Sequence, residues 1–455
     1  MLYLRSVRAG ALALLICSVP SLVQAESLRE ALTSAYQNSP DILSALLNIK
    51  ATAEGIAVAK SEKLPTIGLS ATESQSFAAT GAGGSYQLSG PSVTIGGQYS
   101  QTIFDNFKSD ADIEGARALT EASRYALQAA ESNVLLQVAT AYFAIIRDRQ
   151  LVDLASENVK FYTAQVNSAQ DRLKIGEGTK IDVSQAQARA AQGNAAYQIA
   201  IETLQTDEAT YERYVGHKPG KLGMSYKLGS LLPRSLDAAI AQAVSDNAQI
   251  LAAKATIRAR QANSDAANAA FGPTLSMIAQ IGATPIGAST SSPASPSGKV
   301  SFSLAVPLYS GGRLGATIRQ SNLNQMKSEV DALSVRDAVK QAVITAWSQK
   351  TSAEAQIQSA NSAVSAGQLS LNGVVQERDV GQATTLDVLN AESDLISSRQ
   401  TLIQATAGAA IASFSLVANT GHLTATDLGL SVQSQTGEDY IAKVEDVWAE
   451  VRALD

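Results

Sequence analysis

The feature that most constrains this chain is an internal duplication. The segment Gly176–Ala186 (GEGTKIDVSQA) returns 205 residues later as Gly381–Ala391 (GQATTLDVLNA). Near the start of each copy the offset is 208, where Ser27-Leu28 corresponds to Ser235-Leu236. Offsets this uniform across half a chain indicate the duplication of one architectural unit. Because there are only two long copies, an internally pseudo-symmetric body is favoured over a solenoid.

The first 25 residues have the pattern of a secretory signal peptide. Arg5 and Arg8 precede an apolar stretch that is too short to span a membrane as a helix, and Val23-Gln24-Ala25 is a small-x-small cleavage site. We therefore predict that the mature chain begins at Glu26. The one cysteine, Cys17, lies inside this signal. The mature protein is thus predicted to have no thiol, disulfide or lipid anchor.

The charge balance argues against a nucleic-acid partner. Removing the predicted signal takes two arginines from the 35 basic residues and leaves the 41 acidic residues, so the mature chain is mildly acidic. A nucleic-acid-binding surface would need the opposite sign. No later stretch approaches 18 continuous apolar residues, so we expect no transmembrane helix. Such a chain can still enter an outer membrane as β-strands.

Both copies are predicted to follow the order helix, strand, strand, long helix, helix. In the first copy we predict helix over 27–64, strands at 66–77 and 93–104 around an exposed Gly/Ser loop at 78–91, and helices at 108–172 and 181–215. In the second we predict one helix over 235–271, strands at 274–284 and 300–308 around a loop at 285–298, and helices at 313–377 and 385–418.

This pattern predicts five regions. They are a signal peptide at 1–25, a first structural repeat at 26–216, a connector at 217–234, a second repeat at 235–421, and a C-terminal tail at 422–455, whose end from 438 is expected to be partly disordered; the connector and the tail are predicted to be small mixed elements beside the helices.

The predicted strands require an assembly. In the last strand Val300, Phe302 and Leu304 face one side while Ser301 and Ser303 face the other, as a wall between lipid and a lumen requires. Four strands cannot close a membrane barrel, and an open edge is not tolerated in lipid. Several chains must therefore share one barrel, and three chains would give twelve strands. A soluble or adhesive periplasmic coiled-coil protein is the alternative, but it leaves the apolar strand faces unexplained.

With these features in place, the chain resembles the TolC family of outer-membrane efflux and type I secretion channels. The residues that carry the resemblance are Ser27-Leu28-x-x-Ala31 with Pro40, the strand end Thr102-Ile103-Phe104-Asp105, the segment Val306 to Arg313 (VPLYSGGR), and the two turn motifs that end in Asp-Val.

The resemblance implies a fold that is mainly α-helical with a membrane β-barrel. A trimeric twelve-stranded barrel would continue into a long α-helical periplasmic tunnel with a mixed equatorial girdle. It also implies localisation in the cell outer membrane, contact with its lipid, and docking through a periplasmic adaptor to an inner-membrane transporter of the RND or ABC type. The cargo, drugs or a secreted protein or both, stays open at this point.

The resemblance places a periplasmic gate at the helix turns, on Ile181, Asp182 and Arg378. Relatives have a tyrosine where this chain has Arg378 and an arginine where it has Ala383, so we predict an Asp182–Arg378 pair as the substitute latch. The alternative is that Asp182 caps the following helix, and the two roles can coexist. The first of the family's two acidic constriction rings maps to Asp387 and the second to Asn390, which predicts weaker cation selectivity.

No catalytic constellation is present in the sequence, so we expect neither an enzyme nor a cofactor. His217 and His422 occupy matching positions of the two repeats, but a metal site needs more convergent ligands than two isolated histidines. Gly311-Gly312-Arg313 lacks the remaining elements of a phosphate-binding loop. The leading hypothesis is a passive exit duct that takes its energy from a partner.

Overall fold

The computed structural model describes residues 26–75, 77–80, 85–88, 92–287 and 295–445. The predicted signal peptide and the last ten residues fall outside that range. The first repeat contains α1 (Leu28–Asn38), α2 (Pro40–Ser61), β1 (Thr66–Ser74), β2 (Phe77–Thr80), β3 (Ser85–Leu88), β4 (Ser92–Phe104), α3 (Lys108–Ile175) and α4 (Lys180–Val215). The second contains α5 (Leu236–Asp246), α6 (Ala248–Ala269), β5 (Thr274–Gly287), β6 (Ser295–Ala305), α7 (Arg313–Asp379) and α8 (Thr385–Asn419), and α9 (Glu438–Val444) follows in the tail.

The leading helix of each repeat is broken, which the sequence prediction missed. Ser39 is extended, caps α2 by accepting a hydrogen bond from the Ile42 amide, and is followed by Pro40 at the first helical position. Asn247 performs the same role for α6, where its side chain accepts from Gln249 and Ile250. The predictions of continuous helix over 27–64 and 235–271 are therefore wrong at these two residues, because a capping side chain begins a new helix there.

The predicted loops between the strands were also too long. The Gly/Ser tract at 78–91 contains most of a short hairpin in which β2 pairs antiparallel with β3, and β5 and β6 extend into the tract at 285–298. β6 ends earlier than predicted, at Ala305. Pro307 follows closely, and a proline has no amide proton for a sheet hydrogen bond. In the tail, α9 covers the first part of the segment 438–455 for which partial disorder was predicted, and residues 446–455 of that segment lie outside the described range.

The four long strands form one antiparallel sheet in the order β1-β4-β5-β6. β1 and β6 are its two edges, so each has one side without a strand partner among the residues that the structure describes. The helices follow the same order as the strands they adjoin: α2 packs on α3, α3 on α6, and α6 on α7. Each strand of the main sheet thus adjoins one helix: α2 precedes β1, α3 follows β4, α6 precedes β5 and α7 follows β6. The helices α4 and α8 then return beside α3 and α7.

The main core lies at the level of α1, the connector and the tail. Phe143 on α3 is fully buried and its ring stands 5.5 Å from Tyr142, 5.2 Å from Tyr226 and 5.8 Å from Phe414. Edge-to-face and tilted arrangements at these distances are favourable aromatic contacts. This cluster joins both repeats to the connector, and it holds the middle of α3 against the C-terminal part of α8.

Three helices are apolar enough, by length and composition, to cross a membrane: α2, α3 and α8. This measure uses mean hydropathy, whereas the sequence prediction of no transmembrane helix used the length of a continuous apolar run, so the two do not conflict. The difference arises because alanine-rich stretches reach a high mean hydropathy without a continuous apolar run. About half of the apolar stretch is buried within the chain in α3 and α8, and 28% of it in α2.

Candidate functional site

The two faces of the main sheet have opposite chemistry. One cross-strand row runs Ile67, Tyr99, Ala279 and Val300, and the next row on that face includes Leu69 and Ile281. Ile67 and Leu69 are 82% and 84% exposed, and Leu304 on β6 is 67% exposed. The opposite face carries Thr, Ser and Gln side chains. A sheet with one solvent-exposed apolar face and one polar face has the form of a barrel wall between lipid and water.

Polar side chains are bonded to one another across the second face. Gln98 Oε1 on β4 accepts a hydrogen bond from Gln280 Nε2 on β5 at 3.2 Å, and Ser301 donates to the Ile278 carbonyl at 3.3 Å. The aromatic side chains Phe104, Phe107, Phe302 and Tyr309 lie at or near the strand ends and are exposed. The side chains of Phe77 on β2 and Tyr86 on β3, two further aromatic residues of the strand region, lie outside those that the structure describes.

The far ends of the long helices are closed by two equivalent turns. Gly176 follows the end of α3 with a φ of +85°, and Gly381 lies two residues after the end of α7 with a φ of +77°. Both angles are in the left-handed region that glycine adopts without strain. Thr179 then begins α4: its hydroxyl accepts from the Asp182 amide at 3.2 Å, and Asp182 Oδ2 accepts from the Thr179 amide at 2.9 Å. This is a reciprocal capping box. The helix-capping alternative for Asp182 is therefore observed.

Arg378 is engaged at the same end of the molecule. Its side chain, which is 11% exposed, donates to Gln165 Oε1 on α3 at 2.7 Å and to the neighbouring Asp379 at 2.8 and 3.1 Å. Arg172 of α3 approaches the same Asp379 carboxylate at 3.6 Å. Among the described residues of one chain, Asp182 and Arg378 do not form an ion pair. Ile181, the third predicted gate residue, is 68% exposed.

The predicted constriction residues stand at the start of α8. Asp387 is exposed, and the hydrogen bonds from Thr384 hold the pKa of its carboxyl below the ordinary value. Asn390 is also exposed, and its Oδ1 accepts from Arg189 of α4 at 3.3 Å. The structure therefore brings α4 and α8 together at Asn390, while Asp387 has no partner among the described residues except its cap.

Sequence reasoning missed a carboxyl next to this site. Glu392 on α8 is buried, and burial, the largest cause, raises the pKa of its carboxyl; Glu157 also raises it, and Arg399 lowers it. The signal was available, because Glu392 falls at helical spacing within the apolar stripe formed by Val388, Leu395 and Ile396. The Arg378–Gln165 bond had no such signal, since the two residues lie 213 positions apart.

The described residues contain no cluster of His, Asp and Glu able to hold a metal ion. His217 lies 3.5 Å from Glu26, and His422 lies 3.5 Å from Asp246 and 3.7 Å from Asp427. His217 therefore lies beside one carboxylate and His422 beside two, and none of these carboxylates is near both histidines.

Comparison with known proteins agrees with the geometry. A family model described as "Outer membrane efflux protein" matches residues 31–217 and 239–422, one match for each repeat. The outer membrane efflux protein BepC of Brucella suis biovar 1 (strain 1330) is 36% identical over 432 residues, which is 94% of this chain and 93% of that protein. The outer membrane protein TolC of Escherichia coli (strain K12) is 24% identical over 406 residues, 85% of this chain and 80% of that one.

Solved structures give the same fold. The CmeC outer membrane channel of Campylobacter jejuni superposes with a TM-score of 0.79 at 14% identity and covers 93% of this chain and 90% of its own. This chain therefore belongs to the outer membrane efflux protein family. The predicted resemblance, fold class and outer-membrane localisation are confirmed.

Proposed function

We propose that three copies of this chain form one exit duct, with a shared twelve-stranded barrel in the outer membrane and a helical tunnel in the periplasm. The observation that carries the proposal is the four-stranded sheet whose one face is apolar and whose two edges, β1 and β6, have no further strand beside them in the described part of the chain. Unpaired backbone groups are costly in lipid, and pairing β6 with β1 of the next copy removes both edges.

The internal duplication supplies the register of that pairing. Within the chain, Tyr99 on β4 lies opposite Ala279 on β5. Leu304 on β6 is the repeat equivalent of Tyr99, at an offset of 205, and Ala71 on β1 is the repeat equivalent of Ala279, at an offset of 208. The same pairing between copies therefore places Leu304 opposite Ala71 of the next copy. Because side chains alternate along a strand, this register puts Ile67 and Leu69 on the same face as Leu304. A shift by one residue would have placed them on opposite faces, so the agreement supports the proposal.

The helices lead to the same arrangement. Within the described part of one chain, α6 packs against both α3 and α7, whereas its repeat counterpart α2 packs closely against α3 and α9 but not against α7. Both unpartnered faces are apolar: α2 exposes Leu43, Leu47 and Val58, and α7 exposes Leu323, Met326, Val330 and Leu333. We infer that α7 of one copy covers α2 of the next, as α3 covers α6.

A disulfide tests both stoichiometry and register. A Cβ at Gly115 would lie 3.5 Å from the Cβ of Ala262, within disulfide geometry. The offsets map this pair to Gln320 and Glu54. The double variant Gln320→Cys with Glu54→Cys should give covalent dimers and trimers on oxidation, and no larger species. The matched control, Gly115→Cys with Ala262→Cys, should close within one chain and stay monomeric on a denaturing gel.

Two measurements separate the parts of this proposal. A native mass of three chains without covalent trimers would show that the register is wrong, whereas a stable conducting monomer would overturn the shared barrel. In a chain whose only cysteine lies in the predicted signal, the background of other disulfides is low.

The periplasmic gate belongs to the same proposal. We infer that Asp182 and Arg378 act at the tunnel end, with Ile181 beside them, and that any contact between the two charges is made between neighbouring copies. The support is that Arg378 already ties the end of α7 to α3 through Gln165, while Asp182 fixes the start of α4. Asp387 and Asn390 are proposed as the constriction, because three symmetry-related Asp387 carboxylates would form an anionic ring.

The duct needs a partner that supplies energy, and we propose a periplasmic adaptor with an inner-membrane transporter of the RND or ABC type. Because the relative at 36% identity is named an efflux protein, we propose small drug-like molecules as the cargo. A deletion strain should then become more susceptible to such compounds with its secreted proteins unchanged. Loss of a secreted protein with unchanged susceptibility would instead assign the duct to protein secretion.

A further inference from the structure

Glu26, the predicted first residue of the mature chain, is held in a specific site, here called the N-terminal socket. Its backbone amide donates to the Lys221 carbonyl at 2.7 Å, and a parallel bridge joins it to Leu222. Its Oε1 accepts from the Tyr211 hydroxyl at 2.6 Å. The socket consists of Tyr142, Tyr211, His217 and residues 220–223.

The two tyrosines of the socket are completely buried. The Tyr142 hydroxyl lies 2.9 Å from the carbonyls of both Glu26 and Gly223, and it accepts from the Gly223 amide at 3.0 Å. Burial raises the pKa of both phenols, and the nearby Glu26 raises the pKa of each further. Both hydroxyls therefore remain protonated donors. The chain start is fixed at its amide, its carbonyl and its carboxylate at once.

The second repeat lacks this socket. The repeat offsets map Glu26 to Arg234, Tyr142 to Trp347 and Tyr211 to Leu416, so the carboxylate and both hydroxyls are absent. Only the histidine of the socket has a counterpart, His422. At Arg234 the chain continues from the connector, whereas Glu26 becomes a chain terminus if the predicted cleavage occurs. The duplicated chain thus has socket chemistry only in the repeat where a free N-terminus would arise.

We propose that the N-terminal socket is a binding site for the free α-ammonium group that signal-peptide removal creates at Glu26. This inference rests on the predicted cleavage after Ala25 and is independent of the channel function. Removal of the leader would then complete a contact that fastens α1 to α3, α4 and the connector. Processing of the leader and closure of this part of the girdle would be coupled.

The charges around the socket favour a cation at this atom. The carboxylates of Glu26, which precedes α1, and of Glu30 on α1 lie close by, and both raise the pKa of the Tyr142 phenol. The positive charge of Arg149 is already used, because it donates to Glu208 at 3.0 Å and to the Gly220 carbonyl at 2.7 Å. The titratable and charged groups around the site are Glu26 itself, Glu30 from α1, Tyr142 and Arg149 from α3, Glu208 and Tyr211 from α4, and His217 and Lys221 from the connector.

An ammonium group differs from an amide here in two ways. Its hydrogen bond to the Lys221 carbonyl becomes charge-assisted, which roughly doubles its strength. It also interacts with the Glu26 and Glu30 carboxylates, which raise the pKa of the amino group in the folded state above its ordinary range of about 7.7–8.0. Its contribution is therefore fully present below about pH 8 and is lost as the pH rises through the folded-state pKa.

The test is hydrogen exchange of the socket amides in the purified full-length mature protein. One alanine is inserted between Ala25 and Glu26, which moves the ammonium group one residue outward. Cleavage should stay after Ala25, because a site after the inserted alanine would have Gln24 at the position that needs a small residue. At pH 7 the peptide covering 217–223 should exchange about tenfold faster in the insertion variant than in wild type. This ratio should approach one above about pH 10.

Matched variants identify the cause. Tyr211→Phe removes the hydroxyl but keeps the ammonium group, so adding the alanine insertion to this variant should still speed exchange of the 217–223 peptide by a ratio that falls towards one as the pH rises. Trp347→Phe, at the equivalent position to Tyr142, should leave the 217–223 peptide unchanged. Equal exchange in wild type and the insertion variant, a difference that does not vary with pH, or an intact mass that does not start at Glu26 would each overturn the proposal. None of these outcomes depends on whether the protein conducts.

Discussion

Thr384 and Asp387 form a reciprocal capping box at the start of α8. Asp387 Oδ2 accepts from the Thr384 amide at 2.8 Å and from its hydroxyl at 2.6 Å, while the Thr384 oxygen accepts from the Asp387 amide at 3.2 Å. Thr179 and Asp182 form the same capping box at the start of α4. Within the described residues each aspartate carboxylate accepts its capping bonds through Oδ2 alone, so Oδ1 of each is available to another partner.

The first prediction concerns cation block at Asp387. Three copies of this carboxylate near one axis should bind a multivalent cation added from the periplasmic side, and Asp387→Asn should weaken the block by about tenfold or more in single-channel recordings. Asn390→Asp adds a second ring and should strengthen it.

Asp182→Asn is the matched control for that experiment, since it weakens an identical cap in the other turn. If Asp182→Asn and Asp387→Asn reduce the block equally, the effect comes from helix capping and Asp387 is not the constriction.

The second prediction concerns the latch at Arg378. Arg378→Ala removes the bond to Gln165 that holds the end of α7 against α3, so the resting conductance and the susceptibility of cells to large antibiotics should rise. Gln165→Ala should have a similar, smaller effect. The contribution of each copy is about 1 kcal/mol, but three copies act together. Arg172→Ala, which affects the longer 3.6 Å contact with Asp379, is the control and should change little.

A double-mutant cycle decides the role of Asp182. If Arg378 and Asp182 meet between copies, the double alanine variant should open the channel less than the sum of the single variants. Strict additivity would leave Asp182 as a helix cap alone.

The helix turns could be predicted from the sequence, whereas the contacts of the gate residue Arg378 could not. Turn residues such as Gly176 and Thr179 act within five positions of the chain, so their roles follow from local backbone rules. The break at Ser39-Pro40 was equally local, but the surrounding helix formers obscured it. The partners of Arg378 could not be predicted, because its contact with Gln165 depends on how two 67- and 68-residue helices align side by side.

The third prediction concerns pH and the Asp148–Asp207 pair. Asp148 is almost fully buried, Arg147 bonds to both carboxylates, and burial together with Asp148 raises the pKa of Asp207 to about 6. An acid whose folded-state pKa exceeds its unfolded value of about 3.9 favours the folded state less as the pH rises from about 4 to 6. The heat stability of the purified protein should therefore be higher at pH 5 than at pH 7.

Asp207→Asn should remove much of that pH dependence and raise the stability at pH 7 by no more than about 1 kcal/mol, because Asp207 is partly exposed to screening solvent. Glu208→Gln is the neighbouring control, and it should keep the pH dependence since Glu208 pairs with Arg149 instead. A Glu208→Gln curve that matches the Asp207→Asn curve would assign the titration to another group.

The fourth prediction tests which face of the sheet meets lipid. Val300 and Ser301 are neighbours in the middle of β6 and face opposite sides, and Val300 belongs to the exposed apolar face. An arginine near the middle of the lipid face of a barrel costs about 2–4 kcal/mol, whereas an arginine on the lumen face remains in water. Val300→Arg should therefore strongly reduce the amount of folded protein in the outer membrane. Ser301→Arg should insert normally and lower the cation conductance, because it places positive charge along the lumen. The measurements are membrane fractionation and single-channel recording on the same pair. If Ser301→Arg fails to insert while Val300→Arg inserts and alters conductance, the assignment of the two faces is reversed.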